Sequence, residues 1–172
     1  MTEIFAIGHS TRTLEQFTEI LKAHGVTLLA DIRTIPKSRH NPQFNAESLE
    51  VELPKAGIRY RHLKELGGLR HAAKDSINTG WENASFRGYA DYMQTEEFAR
   101  ALADLIALSE TERVAIMCAE GNPFRCHRSL VADALTVRGA RVRHISSRKS
   151  AKEHVLTPFA HVEGTRITYP GK

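Results

Sequence analysis

Short apolar runs along this chain are separated by longer stretches in which apolar residues recur every three or four positions. Ile4-Phe5-Ala6-Ile7 is the first run and reads as a strand ending at Gly8-His9-Ser10. Leu14, Phe17, Ile20 and Leu21 follow at helical spacing. Thr13 and Gln16 are placed to form a capping box, and Gly25 stands at a C′ position. Val26 to Ile32 is almost wholly apolar, as expected of a central strand covered on both faces. Asn45 to Lys55 starts at a capping residue and predicts a short helix. Gly57 to Leu63 alternates and predicts a third strand, broken off by Gly67-Gly68. From Phe86 a helical pattern continues through Phe98, Leu102, Leu105 and Ile106. Val114 to Met117 predicts a fourth, buried strand, a helix-like pattern then runs to Gly139, and 141–145 predicts a fifth strand. His71 to Ser85 has no period and reads as an insertion or lid. Arg166 to Tyr169 reads as an edge strand in a C-terminal extension, 146–172.

Strands alternating with helices predict an α/β fold. The expectation is a single three-layer domain over 1–172, core about 4–145, with a mostly parallel sheet and helices on both faces, Rossmann-like or rhodanese-like. A length of 172 residues suits one domain, and 41% apolar with 26% charged residues argues against wholesale disorder. Two cysteines do not make a disulfide framework. With no leader-like pattern after Met1-Thr2-Glu3, the cytoplasm is the expected compartment. No apolar run approaches the ~20 residues of a membrane helix. The formal charge of +4, with nine histidines besides, favours anionic partners, and nucleic acid is one candidate among them.

The densest chemistry lies in Val114 to Leu130, which holds both cysteines, Glu120, Arg125, His127 and Arg128. Cys118 follows a strand, and Cys126 and His127 stand where a helix is expected to begin. The free N–H groups of a first helical turn, with Arg125 and Arg128, would lower a thiol pKa and attract an anion. The plain alternative is that each cysteine is a small buried hydrophobe. Cys118, Cys126, His127 and His9 also contain soft metal ligands, but the spacing is not a C-x2-C pair. Adjacent Cys126 and His127 would point apart on a helix, so neither a metal nor another cofactor is expected. The other strand ends add His9 and Ser10, then Asp31 and Arg33, then Ser38 and Arg39. In a parallel sheet these loops share one edge with Cys118 to Arg128. Asp31 has three candidate roles there: pairing with Arg33, pairing with Arg128, or orienting His9. Phe44, Phe86, Tyr89 and Tyr92 are candidates for a pocket wall or for plain core.

With these residues laid out, a family resemblance follows. I-G-H-S at 7–10, D-I-R-T-I-P-K-S-R at 31–39, Glu65-Leu66-Gly67-Gly68, F-R-G-Y-A-D-Y-M at 86–93 and M-C-A-E-G-N-P-F-R-C-H-R at 117–128 resemble the domain of unknown function (DUF) 488 family, over about Ile7 to Ile145. The resemblance implies an α/β fold and a bacterial or archaeal cytosolic protein, with no settled activity. A second resemblance is to the rhodanese-like fold, through Asp31-Ile32-Arg33, Cys118-Ala119-Glu120-Gly121, Arg128-Ser129 and Leu135 to Val142. The loop from Cys118 to Arg128 is longer than in rhodaneses or C-x5-R phosphatases. Phe124 stands at the phosphatase arginine position, with Arg125 one later.

The leading expectation is an anion-binding pocket at the strand C-terminal edge, serving a thiol enzyme of sulfurtransferase or phosphatase type. Cys118 would be the nucleophile, with Asp31, Glu120 and His9 in acid–base roles. Ser10, Arg33, Ser38, Arg39, Arg87, Tyr89, Arg125, His127 and Arg128 would bind an anionic small molecule holding phosphate or sulfur. Two other readings stay open. One is a non-catalytic nucleic-acid or nucleotide-binding module using the arginine-rich loops. The other is a hydrolase working through His9, Asp31 and Glu120 with structural cysteines.

Overall fold

The computed structural model describes residues 2–122 and 125–171. Eight strands and five α-helices are formed among them. In chain order they are β1 (Glu3–Gly8), α1 (Leu14–Ala23), β2 (Leu28–Asp31), α2 (Ala46–Lys55), β3 (Arg59–His62), α3 (Ala84–Tyr92) and α4 (Glu96–Thr111). There follow β4 (Val114–Cys118), α5 (Arg128–Val137), β5 (Arg141–Ile145), β6 (Ala151–Glu153), β7 (His161–Glu163) and β8 (Arg166–Thr168). Six strands form one sheet in the order β3-β2-β4-β1-β5-β6, parallel except for β6, which runs antiparallel to β5. No helix among the described residues is long and apolar enough to cross a membrane.

The sheet divides two apolar clusters. Ile4, Ala6, Ala30, Ile116 and Val142 face the α3–α5 layer, through Tyr89, Leu102, Leu105, Leu130 and Leu135. Phe5, Ile7, Leu29, Ala115 and Met117 face α1 and α2, through Phe17, Leu21, Leu49 and Leu53. The alternation of side chains along each strand makes this three-layer arrangement possible. The capping box of Thr13 and Gln16 forms as predicted. Gln16 N–H donates to Thr13 Oγ1 at 3.1 Å and Thr13 N–H to Gln16 Oε1 at 3.0 Å. The alternation in β3 marks an edge strand, with Arg59 and Arg61 exposed.

Three elements differ from the pattern. The helix predicted from Phe86 onward is two helices. Thr95 accepts the Phe98 N–H at 3.2 Å and starts α4 afresh. Arg166 to Tyr169 is not an edge of the main sheet, because β8 pairs with β7 in a separate ribbon while β6 takes that edge. The segment 71–83 lacks regular structure, as expected, while Ala84 and Ser85 already open α3, and the segment is tied down. Asp91 accepts from Ala73 N–H, Ser76 Oγ and Asn78 Nδ2, and Trp81 meets Phe86, Phe159 and Tyr169 edge-on or tilted.

The C-terminal extension is stapled to α5 by one carboxylate. Asp133 is fully buried and accepts from His154 Nε2 (2.7 Å), Thr157 N–H (3.1 Å), Thr157 Oγ1 (2.7 Å) and Tyr169 Oη (2.7 Å). His154 Nδ1 in turn faces His144 Nε2 at 2.8 Å. Removing the carboxylate leaves several buried donors unpaired, so Asp133→Ala should lower stability by about 3 kcal/mol. Urea denaturation checks this, and an unchanged midpoint would contradict it.

Candidate functional site

β1, β4 and β2 are neighbours, and their carboxyl ends lie level: Gly8 is in register with Cys118, and Asp31 with Met117. The backbone ladder continues one step beyond the strands. His9 N–H donates to the Cys118 carbonyl and Ser10 N–H to the Ala119 carbonyl, each at 2.9 Å. From β1 and β2 the chain leaves toward α1 and α2; from β4 it leaves toward α5 on the other face. Loops that part to opposite faces open a crevice at such a point.

A cavity of about 360 Å³ occupies this crevice. Of the predicted site residues, Cys118, Glu120, Arg33, Ser38, Arg125 and His127 line it. It is completed by Thr34, Ile35, Lys37, Gly68, Leu69 and Cys126, none of which was in the predicted set, and by Ser85, Phe86 and Ala119. Phe86 was among the candidate wall residues. A larger cleft of about 720 Å³ lies between β3 and α4, but its walls carry both charge signs (Arg61 and Arg100 against Glu97 and Asp104) and no thiol.

Both cysteines are buried and unbridged. They interact on the same cavity wall: Cys118 Sγ lies 3.5 Å from the Glu120 carbonyl, Cys126 Sγ receives the Arg128 N–H at 3.4 Å, and each thiol shifts the ionisation of the other. Burial opposes ionisation of Cys118, but the Cys126 S–H, the Arg128 charge and the Glu120 backbone outweigh it, so its pKa falls below the usual thiol range. Cys126 is driven the other way. Its bond to Cys118, its burial and the Cys118 charge keep it protonated. Cys118 is therefore the more readily ionised thiol of the pair and Cys126 the less.

Arg128 opens α5 and is buried, with 1% of its surface exposed. Its Nη2 donates to the Gly121 carbonyl at 3.3 Å. Its Nε and Nη1 have no partner among the described residues, and no carboxylate pairs with it there. A Cβ at Gly8 would lie 1.8 Å from the Glu120 carbonyl oxygen and 2.9 Å from Arg128 Nη1, so glycine is what lets β1, the Cys118 loop and this guanidinium meet.

α5 begins at Arg128, not at Cys126 or His127 as the pattern predicts. Lying before the helix, Cys126 and His127 do not diverge; Cys126 Sγ is 3.5 Å from His127 Nδ1. His127 Nε2 donates to the Ile32 carbonyl at 2.8 Å, which ties the loop to β2 and leaves Nδ1 as the acceptor. Burial lowers the His127 pKa to about 4, with the Ile32 and Leu66 carbonyls opposing it only in part. Gly68 lies against this ring, and a Cβ there would meet Nδ1 at 2.6 Å.

The remaining predicted residues lie around the cavity rather than in its wall. Asp31 is fully buried and paired with Arg33, not with Arg128 or His9. Arg33 Nε and Nη2 reach its two oxygens at 2.9 and 2.7 Å, and Tyr60 Oη donates at 2.5 Å. Arg33 Nη2 also donates to the Phe44 carbonyl, while its Nη1 is buried without a partner among the described residues. His9 stacks on Phe44 (4.4 Å, 16°), with Nδ1 2.8 Å from the Ser10 carbonyl, and burial lowers its pKa. Ser10 flanks Gly121. Tyr89 is buried behind His127 (5.0 Å between rings) and donates to the Leu66 carbonyl. Arg87 donates to the carbonyls of Trp81 and Glu82, and Arg39 is exposed. Phe124, with Pro123, lies outside the described residues. Among the described residues no group of three or more His, Cys, Asp or Glu is arranged to hold a metal ion.

Comparison with known families fits these positions. A family model described as "Domain of unknown function DUF488" matches residues 13–135. The chain belongs to the DUF488 family. The match includes the motifs at 31–39, 65–68, 86–93 and 117–128, and thus every cavity-lining residue. Comparisons with curated proteins and with solved structures find no match. In this DUF488 chain the signal for Gly67-Gly68 was visible as a motif, but only the fold reveals its use. Gly68 sits on His127, and Gly67 sits against Thr34, whose Oγ1 would be 2.3 Å from a Cβ.

Because folding keeps His127 neutral, the unfolded chain binds a proton between pH 6.5 and about 4 that the folded chain excludes. Stability should be full above pH 6.5 and fall as the pH drops toward about 4. The urea midpoint measured against pH should show this slope, and His127→Gln should reduce it, with His144 and His9, whose pKa values burial also lowers, keeping the rest. A midpoint that rises on acidification would contradict the assignment.

Proposed function

We propose that this DUF488 chain is a thiol enzyme of the reducing cytosol that binds a small anionic substrate at the sheet edge and attacks it with Cys118. The observation that carries this reading is the pair of thiols on one cavity wall beside the buried Arg128, whose charge favours ionisation of Cys118. Lys37 and Arg125 on the wall attract an anion, while Ile35, Leu69 and Phe86 give the wall an apolar part. The residues that resemble the rhodanese-like fold support the same reading. Asp31 and Arg33 brace the loop after β2, Cys118 faces the cavity, and Arg128 lies behind it. Asp31 contributes by holding Arg33, since Arg33 and Tyr60 already occupy its oxygens.

The other two readings find less support. A nucleic-acid module would use Arg33 and Arg39; Arg39 is exposed, but Arg33 is buried against Asp31. A hydrolase built on His9, Asp31 and Glu120 needs them together at the cavity, and only Glu120 lines it.

Alkylation of Cys118 by iodoacetamide should follow a midpoint below the ordinary ~8.5, because the reactive thiolate persists to lower pH. Inorganic sulfate should slow the reaction. Lys37→Ala and Arg125→Ala should each weaken that protection by about tenfold, the loss of one charge-assisted contact. A midpoint at or above the ordinary value, with no effect of sulfate, would contradict the proposal.

A further inference from the structure

The geometry points to Cys126 as a resolving thiol: once Cys118 has taken a sulfur substituent, Cys126 displaces it and closes a Cys118–Cys126 disulfide. This deepens the proposed function by naming the substrate class, an anionic compound with an electrophilic sulfur, either a sulfane-sulfur donor or an aryl or alkyl disulfide bearing an acidic group. A phosphoryl group on Cys118 would give a neighbouring thiol nothing to resolve, because attack at the Cys118 sulfur would have to expel phosphorus-bound electrons. A sulfur substituent offers an S–S bond that the neighbour can break.

Three observations carry the inference. First, Cys126 and Cys118 line the same cavity of about 360 Å³ and influence each other's ionisation, so the second nucleophile stands on the same wall as the first. Second, Cys126 lies in the loop before α5, outside any helix or strand. There it receives the Arg128 N–H at 3.4 Å and lies 3.5 Å from the acceptor nitrogen of His127. Third, two of the three causes that hold the Cys126 proton in place, its bond to Cys118 and the Cys118 charge, exist only while Cys118 is a free thiolate. When Cys118 becomes part of a disulfide or persulfide, those causes vanish. The Arg128 N–H and charge then act on Cys126 against burial alone. Cys126 is silent before the first step and is released by it.

The steps balance. With thiosulfate, the Cys118 thiolate attacks the sulfane sulfur, the S–S bond breaks, and sulfite leaves with the electron pair. Cys118 is then a persulfide. Cys126 attacks the Cys118 sulfur, and its proton leaves with the departing sulfur as HS⁻. The substrate's sulfane sulfur is reduced, and the two thiols are oxidised to a disulfide. With an aromatic disulfide, the first step releases one arylthiolate and leaves a mixed disulfide on Cys118. The second step releases another arylthiolate, and the Cys126 proton passes to solvent. An external thiol returns the disulfide to the starting dithiol.

The test uses the whole chain, fully reduced, with two probes: thiosulfate, and the anionic aryl disulfide 5,5′-dithiobis(2-nitrobenzoate). Released arylthiolate is read by absorbance, sulfite and sulfide by chemical assay, and the protein by intact mass. The wild type should release two arylthiolates per chain and finish two hydrogens lighter, with no adduct. Cys126→Ser and Cys126→Ala should release one and keep the adduct, while Cys118→Ser should keep any adduct on Cys126 and form no disulfide. With thiosulfate, the wild type should yield sulfite and sulfide together, and Cys126→Ser sulfite alone. Reaction with only one of the two probes assigns the substrate to that source. A wild-type chain that retains a mixed disulfide on Cys118 overturns the resolving role and leaves the nucleophile standing. A Cys118 that reacts with neither probe overturns both.

Discussion

A guanidinium taken out of water needs compensating charge or a full set of acceptors, or it destabilises the fold. Arg128 has neither among the described residues. It is buried at the start of α5, gives one long hydrogen bond to the Gly121 carbonyl, and keeps two donors unpaired. Its charge acts on both thiols and lowers the pKa of Cys118. The same cation thus favours ionisation of Cys118 at the cavity wall.

The fold brings this about by convergence. β4 lies between β1 and β2, so Cys118 comes out of the middle of the sheet with a loop on each side. Gly8 has no side chain to separate β1 from the Cys118 loop, and Gly68 leaves room for the His127 ring. His127 then ties the loop back to β2 through the Ile32 carbonyl. Asp31 and Arg33 neutralise each other below, which lets a charged strand end be buried there. The thiols are therefore held by contacts from three separate stretches of chain, not by the tight turn of a short loop.

Much of this was legible in the sequence. The apolar runs marked β1, β2 and β4, Thr13 and Gln16 marked the start of α1, and strand–helix alternation gave the layers. Cys118 at a strand end, beside the loops after β1 and β2, followed from the parallel order. What was hidden depends on contacts between distant residues or on helix phase. A start of α5 two residues later turns Cys126 and His127 from diverging neighbours into a touching pair. The break at Thr95 is a cap within a continuous apolar pattern. Nothing local distinguishes an Arg33 that binds substrate from one that is saturated by Asp31. The Asp133 network joins residues of α5, β5 and the C-terminal extension, and it draws Tyr169, just after β8, against α5 instead of the sheet edge.

Arg128 and Cys126 are proposed to make Cys118 the more acidic member of a dithiol. Titration of thiolate absorbance in the ultraviolet measures this directly, in the wild type and in Arg128→Gln. The wild type should show one thiol ionising below the ordinary ~8.5 and the other above it, and Arg128→Gln should raise the lower midpoint. Two thiols that both ionise at or above the ordinary value, unmoved by the substitution, would contradict it.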